Sequence, residues 1–333
     1  MADNTTLPFD PETCTLETCP IEYAQITYTP SLGGNIAYAV ILGLILVAQL
    51  GLGIRYKTWG FMVGMVGGLA LEVVGYAGRI PLHYNPFKFD PFLQQLICLT
   101  IAPAFLSASI YLCLARIVVA YGPETSRLKP RTYTYIFVTC DFISLVLQGG
   151  GGGITATANT KATNDMGVNI MIAGMTFQVV SLAAFMAICA EYAFRIRRRR
   201  ELLDYGFEQT RSTFRFKGFL YALAAATILI FIRCAFRVAE LSEGFNGPLA
   251  NNEVTFMIFE GPMIMLATLA LTVFHPGICF AGRWAEAKPM TRKQTKQQQK
   301  RALVSDMDSS DYERVTPGGA VEVDTLETSY PMR

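Results

Sequence analysis

Charge and histidine are both scarce in this sequence. Only 16% of its 333 residues are Asp, Glu, Lys or Arg, while 52% are apolar. A composition of this kind is not typical of a soluble protein. There are only two histidines. A zinc-dependent intramembrane hydrolase needs about three ligands at one depth, often His, so the sequence disfavours an enzyme of that class.

Motifs of several receptors and pumps are also absent. The last apolar stretch, residues 261–282, has no lysine to carry a retinal Schiff base. The Asp-Arg-Tyr and Asn-Pro-x-x-Tyr signatures of receptors that couple to G proteins are missing. No ATP-binding motif is found, because the glycine run at 149–153 lacks the Lys-Ser or Lys-Thr of a phosphate-binding loop. Any transport is therefore expected to be passive or ion-coupled.

Long uncharged stretches are what the sequence does have. A bilayer core takes about 20 helical residues to cross. Four such stretches contain no charged residue: 35–54, 91–115, 166–190 and 261–282. Three more stretches carry a few charges within apolar flanks: 59–80, 133–154 and 218–240. The sequence predicts an all-α membrane protein, a bundle of seven transmembrane helices over residues 35–282.

Basic residues orient the predicted bundle. The loops at 55–58, 121–132 and 195–217 hold 13 Lys and Arg residues, whereas the opposite side holds only Lys88 and Lys161. Short basic loops stay in the cytoplasm. We therefore expect an extracellular or lumenal N-terminus and a cytoplasmic C-terminus.

Two segments flank the bundle, an N-terminal arm (1–34) and a C-terminal tail (283–333). The arm lacks the basic and apolar regions of a cleavable signal peptide. Cys14 and Cys19 in the arm face the oxidising compartment, where they form either a disulfide or two free thiols. Asn4 begins a glycosylation acceptor on the same side. The polar tail has nothing to build a core and is predicted to be disordered and cytoplasmic.

Polar side chains within the predicted spans are the candidate functional residues, because burying ionisable groups in a membrane is costly unless they are paired. Ten of them form the candidate ligand-binding set: Glu72, Tyr76, Arg79, Asp141, Gln148, Gln178, Arg233, Arg237, Glu240 and Glu260. The members on the second span are four and three residues apart, as are those on the sixth span. Each trio therefore shares one helix face.

The depth of these residues follows from a rise of about 1.5 Å per helical residue. Glu72, Gln148, Arg233 and Glu260 are expected at one level, about 9 to 13 Å below the outer surface. Gln178 and Asp141 are expected to lie deeper. Proline residues in the third and seventh spans, at 103 and 262, are expected to kink the helices and free backbone carbonyls.

Two interpretations of the charged residues remain open. Interhelical pairs, such as Arg233 with Glu260, would only lock the bundle together. Alternatively, the carboxylates face Arg79, Arg233 and Arg237 across a polar cavity in the outer half of the bundle. We expect such a cavity for the set as a whole, with a polar or charged head group as its ligand.

Several segments together carry a resemblance. They are residues 101–112 (IAPAFLSASIYL), 141–148 with the following glycines, Arg233 with Phe236, Arg237 and Glu240, residues 274–277 (FHPG), and Glu72-x-x-Gly75-Tyr76-x-x-Arg79. Over about residues 30–280, the chain resembles the fungal resistance-to-aminocholesterol family of lipid-translocating exporters. Glu260 is a departure, because the family is expected to have Asp at this position.

The resemblance implies a fungal plasma-membrane or endomembrane protein that exports sphingoid long-chain bases and gives resistance to toxic amphiphiles. The expected partner is a membrane lipid or amphiphile: a sphingoid base, a sterol-like drug or a porphyrin. No cofactor, metal ion or nucleic acid is expected, and a homo-oligomer remains open. The alternative is a seven-helix receptor or lipid sensor that signals through its cytoplasmic loop and tail. An intramembrane lipid-modifying enzyme comes third.

Overall fold

The computed structural model describes most of the chain up to Pro289. The described residues are 14, 18–20, 24, 26, 28–122, 126, 129–158, 160–198, 205–242 and 252–289. They all belong to one compact unit that ends at Pro289. The predicted glycosylation site at Asn4 and the tail beyond Pro289 lie outside the described residues.

The described residues form helices and contain no strand. Seven helical segments among them are long and apolar enough to cross a membrane, which confirms the predicted number of spans. The helices are α1 (Leu32–Arg55), α2 (Trp59–Tyr84), α3 (Phe89–Tyr121), α4 (Pro130–Ala156), α5 (Lys161–Arg198), α6 (Glu208–Ser212), α7 (Phe214–Ser242), α8 (Glu253–Phe259), α9 (Gly261–Val273) and α10 (Pro276–Cys279). The sixth span is α7, and α8 to α10 form the seventh.

All seven spans are longer than predicted, and α3 and α5 exceed their predicted lengths by the most. Helix α3 has 33 residues and α5 has 38. Since about 20 residues cross a bilayer core, both helices extend beyond it. The last turn of α5 carries Arg195, Arg197 and Arg198, which interact favourably with the negative carbonyl end of a helix. A search for uncharged stretches stops before such basic turns and so predicts a shorter helix.

The seventh span is interrupted at Glu260. Helix α8 ends at Phe259 and α9 begins at Gly261, with Glu260 between them. Pro262 has no N–H, so it cannot donate the helical hydrogen bond to the carbonyl of Ile258. The predicted irregularity at Pro262 is therefore confirmed. The irregularity is a break in the helix, and the carboxylate of Glu260 lies at the junction of α8 and α9.

The helices pack as a closed ring. Neighbours follow the order α1, α2, α3, α4, α5, α7, α9 and back to α1, and α3 also contacts α7 across the ring. Large apolar side chains such as Leu44, Phe142 and Val180 face outward, with exposed fractions of 67%, 64% and 61%. Ionisable side chains are buried between the helices. This arrangement matches a lipid solvent, in which ionisable residues face the bundle interior.

Both ends of the described chain pack against the bundle. A disulfide joins Cys14 to Cys19, with Cα atoms 5.6 Å apart, and the Cys14 carbonyl accepts a hydrogen bond of 3.2 Å from Asn85 after α2. We call this the arm side of the bundle. At the opposite end, Trp284 is buried and lies 4.5 Å from the guanidinium of Arg116. This packing extends the folded unit beyond the predicted boundary at residue 282.

Candidate functional site

Three buried ionisable side chains from separate spans meet between α2, α7 and the α8–α9 junction. Arg233 on α7 lies 3.1 Å from a carboxylate oxygen of Glu72 on α2 and 2.6 Å from one of Glu260. The exposed fractions of the three side chains are 1% or less. Because Glu260 occupies the break in the seventh span, its carboxylate can reach the guanidinium of Arg233 from a helix end.

A second pair on α7 extends this group. Arg237 lies one turn from Arg233 and forms a 2.7 Å ion pair with Glu240, three residues further on. Its Nε atom lies 3.9 Å from Glu260. We call Glu72, Arg233, Arg237, Glu240 and Glu260 the charge cluster. It contains three carboxylates and two guanidiniums, so it has one negative charge in excess when all five groups are ionised.

A proline on α3 contributes to the geometry of the charge cluster. Pro103 has no N–H, so it leaves the carbonyl of Leu99, four residues earlier, without its usual helical donor. That carbonyl accepts a 2.7 Å hydrogen bond from Arg233. The carbonyl that Pro103 releases is thus a further acceptor for the same guanidinium nitrogen that contacts Glu72 and Glu260.

Arg79 occupies a different environment from the one expected. Instead of facing the carboxylates directly, its guanidinium donates hydrogen bonds to Asn35, Gln95 and Tyr28, each at 2.9 Å. It also lies 4.0 Å from the ring of Phe256, where the aromatic face attracts the cation. Neutral acceptors on α1, α3 and the arm therefore hold this cation, which corrects the prediction.

Tyr76 lies on α2 between Glu72 of the charge cluster and Arg79, and it is fully buried. Its ring packs 5.3 Å from that of Tyr38, and its hydroxyl has no hydrogen-bond partner among the described residues. It therefore has a hydroxyl available to a bound polar group.

The remaining three predicted residues form a second polar group between α3, α4 and α5. Gln148 donates a 2.9 Å hydrogen bond to Gln178. Depth counting placed Gln178 below Gln148, but the two helices are antiparallel. Because side chains tilt toward the N-terminus of their own helix, these two point toward each other and close the gap.

Asp141 lies two turns away from Gln148 on the same face of α4. Its side chain is buried, with 4% exposed, and it faces the hydroxyl of Tyr111 on α3. No ion pair involves Asp141 within the part of the chain that the structure describes. Tyr111 on α3 and Ser181 on α5 also belong to this second polar group, and neither was among the candidate residues predicted from the sequence. Tyr111 lies in the segment 101–112 that carries the resemblance, and Ser181 lies three residues after Gln178.

Two cavities adjoin these groups on the arm side. The inner cavity has a volume of about 10 Å³, which is space for about one water molecule. Its lining residues are Thr100, Pro103, Met175, Gln178, Arg233, Cys234 and Arg237. Among the described residues, the space beside Arg233 and Arg237 is therefore much smaller than the head-group cavity that the sequence analysis expected.

The outer cavity has a volume of about 220 Å³ and lies one helical turn closer to the arm. It is lined by Ala24, Phe89, Phe92, Leu93, Leu96, Gly152, Thr155, Ala156, Asn164 and Met171. Leu96 and Met171 precede Thr100 and Met175, which line the inner cavity, by four residues each. Met171, Met175 and Leu241 form an apolar cluster at this position. Methionine adapts its shape readily, so this cluster is the part of the wall best able to rearrange.

The glycine run lies in the α4–α5 contact. A Cβ atom on Gly151 would lie 2.6 Å from the carbonyl oxygen of Gly167 and 2.7 Å from the backbone nitrogen of Met171. The same atom on Gly149 or Gly150 would meet nothing within 4 Å. The run therefore allows two helix backbones to approach closely.

Metal binding receives no support from the described residues, which contain no group of three or more His, Cys, Asp or Glu side chains placed to hold an ion. His275 instead accepts a 3.1 Å hydrogen bond from the Gly277 N–H at the start of α10. The Nδ1 atom of His83 forms a 2.8 Å hydrogen bond with the carbonyl oxygen of Pro30 in the arm.

Comparison with known proteins identifies the family. The family model described as RTA1 like protein matches residues 65–283, from the middle of α2 to just beyond α10. The chain belongs to this family. The resemblance found in the sequence is thereby confirmed.

Curated relatives from Saccharomyces cerevisiae are similar over most of the chain. The sphingoid long-chain base transporter RSB1 is 35% identical over 76% of this chain and 74% of its own length. Protein RTM1 is 29% identical over 68% of this chain and 73% of its own. Protoporphyrin uptake protein 1 is 30% identical over 62% and 65%. No solved structure matches the chain.

Proposed function

We propose that this protein moves amphiphiles with a cationic head group, sphingoid long-chain bases above all, across the membrane. The excess carboxylate of the charge cluster is the observation that carries the proposal. A single ammonium group bound beside Glu72 and Glu260 would bring the cluster to neutrality. Compensation of this kind is favourable in a membrane interior, where an unbalanced charge is costly.

The surroundings of the charge cluster suit the rest of such a molecule. The outer cavity is lined mainly by apolar and aromatic side chains, with Thr155 and Asn164 as its polar members. Lipid tails are as apolar as these side chains, so an alkyl chain can leave the bilayer for this environment at little cost. We infer that the alkyl chain lies in the outer cavity or between the helices that border it. The head group would then pass the cluster of Met171, Met175 and Leu241.

The names of the relatives support an amphiphilic substrate, and one of them supports a sphingoid base. One curated relative is named as a transporter of sphingoid long-chain bases and another as a protoporphyrin uptake protein. Both ligands are amphiphiles. We propose further that the N-terminus faces the outside, that the protein acts at the plasma membrane, and that its activity gives resistance to toxic amphiphiles.

A receptor or lipid sensor is the second candidate. The arginine run at 197–200 and the group of Ser305, Ser309 and Ser310 among acidic residues of the tail are features that a signalling protein also has. The two functions differ in what the purified protein does alone, because a translocator needs no partner to move its ligand.

Reconstitution in liposomes separates the two functions. The full chain is reconstituted with a fluorescent long-chain base in the inner leaflet, and movement to the outer leaflet is followed by quenching from outside. Translocation predicts faster movement than in protein-free liposomes. An unchanged rate, together with a cytoplasmic partner bound to the tail in cells, would favour the sensor.

A further inference from the structure

Asp141 is a buried acid that the proposed head-group site does not use. It lies in the middle of α4, with 4% of its side chain exposed. Neither carboxylate oxygen has a hydrogen bond among the described residues, and no Lys, Arg or His nitrogen there lies within 4.0 Å of it. An ionised carboxylate in this position would be unpaired in a low-dielectric interior, which costs several kcal/mol.

The groups that face Asp141 offer no positive charge. Tyr111 on α3 and Cys234 on α7 are the titratable side chains within electrostatic reach of it. Phe185 on α5 closes the same region, with its ring 4.6 Å from Tyr111. Arg233 and Arg237 are already bonded to carboxylates of the charge cluster.

Unsatisfied polar atoms connect Asp141 to the charge cluster. They are Tyr111 Oη, both Asp141 carboxylate oxygens, Gln148 Oε1, Gln178 Nε2 and Ser181 Oγ, all buried and without a hydrogen bond among the described residues. Gln178 also lines the inner cavity, which Arg233 and Arg237 border. That cavity has space for about one water molecule. A head group that moved inward from the inner cavity would therefore meet this row of polar groups, in which Asp141 is the one acid.

We propose that Asp141 is a proton-binding site that couples proton release to amphiphile movement, which rests on the proposed function. Before the amphiphile enters, the Asp141 carboxyl is protonated, and its O–H bond removes the need for a counter-charge. When a cationic head group moves inward from the charge cluster to Asp141, its positive charge replaces the proton as the partner of the carboxylate. The O–H bond breaks and the proton passes to water that enters with the head group, so one cation is exchanged for one proton.

Infrared spectroscopy tests the protonated state directly. The full chain in lipid nanodiscs at neutral pH is expected to show the carbonyl band of a protonated carboxyl group. Asp141→Asn, which is nearly isosteric with the neutral acid, removes that band. Glu191→Gln, which changes a surface acid paired with Arg195, retains it. Asp141→Glu shifts the band. An unchanged band in Asp141→Asn would overturn the proposal.

Proteoliposomes test the coupling. The probe is a fluorescent quaternary-ammonium amphiphile, because its charge does not titrate and a pH gradient alone cannot redistribute it. For one-to-one exchange, a gradient of one pH unit shifts the final distribution of the probe up to about tenfold. Wild type and Glu191→Gln are expected to show this shift, whereas Asp141→Asn is expected to show none.

The outcomes separate the two proposals. If wild type moves the probe but the final distribution ignores the gradient, proton coupling is wrong while translocation stands. If wild type does not move the probe at all, translocation and coupling both fail. The infrared band then still decides whether Asp141 holds a proton.

Discussion

Arg233 is the residue on which the charge cluster depends. Its guanidinium is bonded to Glu260 and the Leu99 carbonyl and lies 3.1 Å from Glu72. Sequence reasoning singled out these ionisable residues because they are costly in a membrane. Which acid meets which arginine could not be predicted, since several residues at one depth leave many pairings open. The neutral partners of Arg79, such as Asn35 and Gln95, were missed because they lie near the starts of α1 and α3, where a polar side chain does not stand out in the sequence.

Replacement of Arg233 by methionine is expected to destabilise the protein. Arg233→Met leaves Glu72 and Glu260 close together without a counter-charge, and breaking a buried ion pair costs about 3 to 5 kcal/mol. Arg195→Met is the matched control, because its partner Glu191 is 47% exposed and exposed pairs contribute about 0 to 1 kcal/mol. Thermal unfolding in detergent measures both. Equal midpoints for the two variants would contradict the account.

Neutralising the acids is expected to abolish resistance. Glu72→Gln or Glu260→Gln removes the excess negative charge while Arg233 keeps one carboxylate partner. The loss of a charge-assisted contact worth about 1.5 to 3 kcal/mol corresponds to roughly 10- to 100-fold weaker head-group binding. Growth on a toxic long-chain base, with protein level checked by immunoblot, measures the effect. Full resistance in a variant with both changes would refute the site.

At the scale of the elements, the sequence was sufficient to predict the number of spans. It did not predict the residues at which they begin and end. Long apolar stretches, four of them uncharged, predicted seven spans, but charged residues near the ends of α3 and α5 hid their true length. The break at Glu260 could be predicted from the sequence only in part. Pro262 signalled an irregularity, whereas the position of the carboxylate within it depends on how α8 and α9 pack.

The contact between α4 and α5 is expected to be intolerant of even one methyl group. Gly151→Ala would force the backbones apart, because its Cβ would lie 2.6 Å from the Gly167 carbonyl oxygen. Overpacking of this kind costs about 1 to 3 kcal/mol. Gly150→Ala meets nothing within 4 Å and serves as the control. Thermal unfolding should show a lower midpoint for Gly151→Ala alone, and a fall of equal size in both would count against the contact.

At the scale of the whole molecule, orientation rests on the distribution of basic residues. The positive-inside rule predicts that the arm lies outside, and in that compartment a disulfide between Cys14 and Cys19 would be stable. The folded unit reaches Pro289 because Trp284 packs on Arg116. Composition alone gave no sign of this contact, since residues 283–289 are mostly polar or small.

A glycan at Asn4 reports the orientation. With the N-terminus outside, the protein made in its host is expected to carry the glycan, and endoglycosidase treatment should increase its mobility on a gel. Asn4→Gln should migrate with the treated protein and no longer respond. A glycan on a site engineered into the tail, beyond Pro289, would contradict the predicted orientation.

Selectivity for charge tests the central claim most directly. Proteoliposomes with wild type or Glu72→Gln receive either a fluorescent long-chain base or its neutral N-acetylated form, and transbilayer movement is measured for both probes. We predict that wild type accelerates the cationic base far more than the neutral form, and that Glu72→Gln loses this preference. Equal acceleration of both probes by wild type, or an undiminished preference in Glu72→Gln, would contradict recognition of the head group by the excess carboxylate.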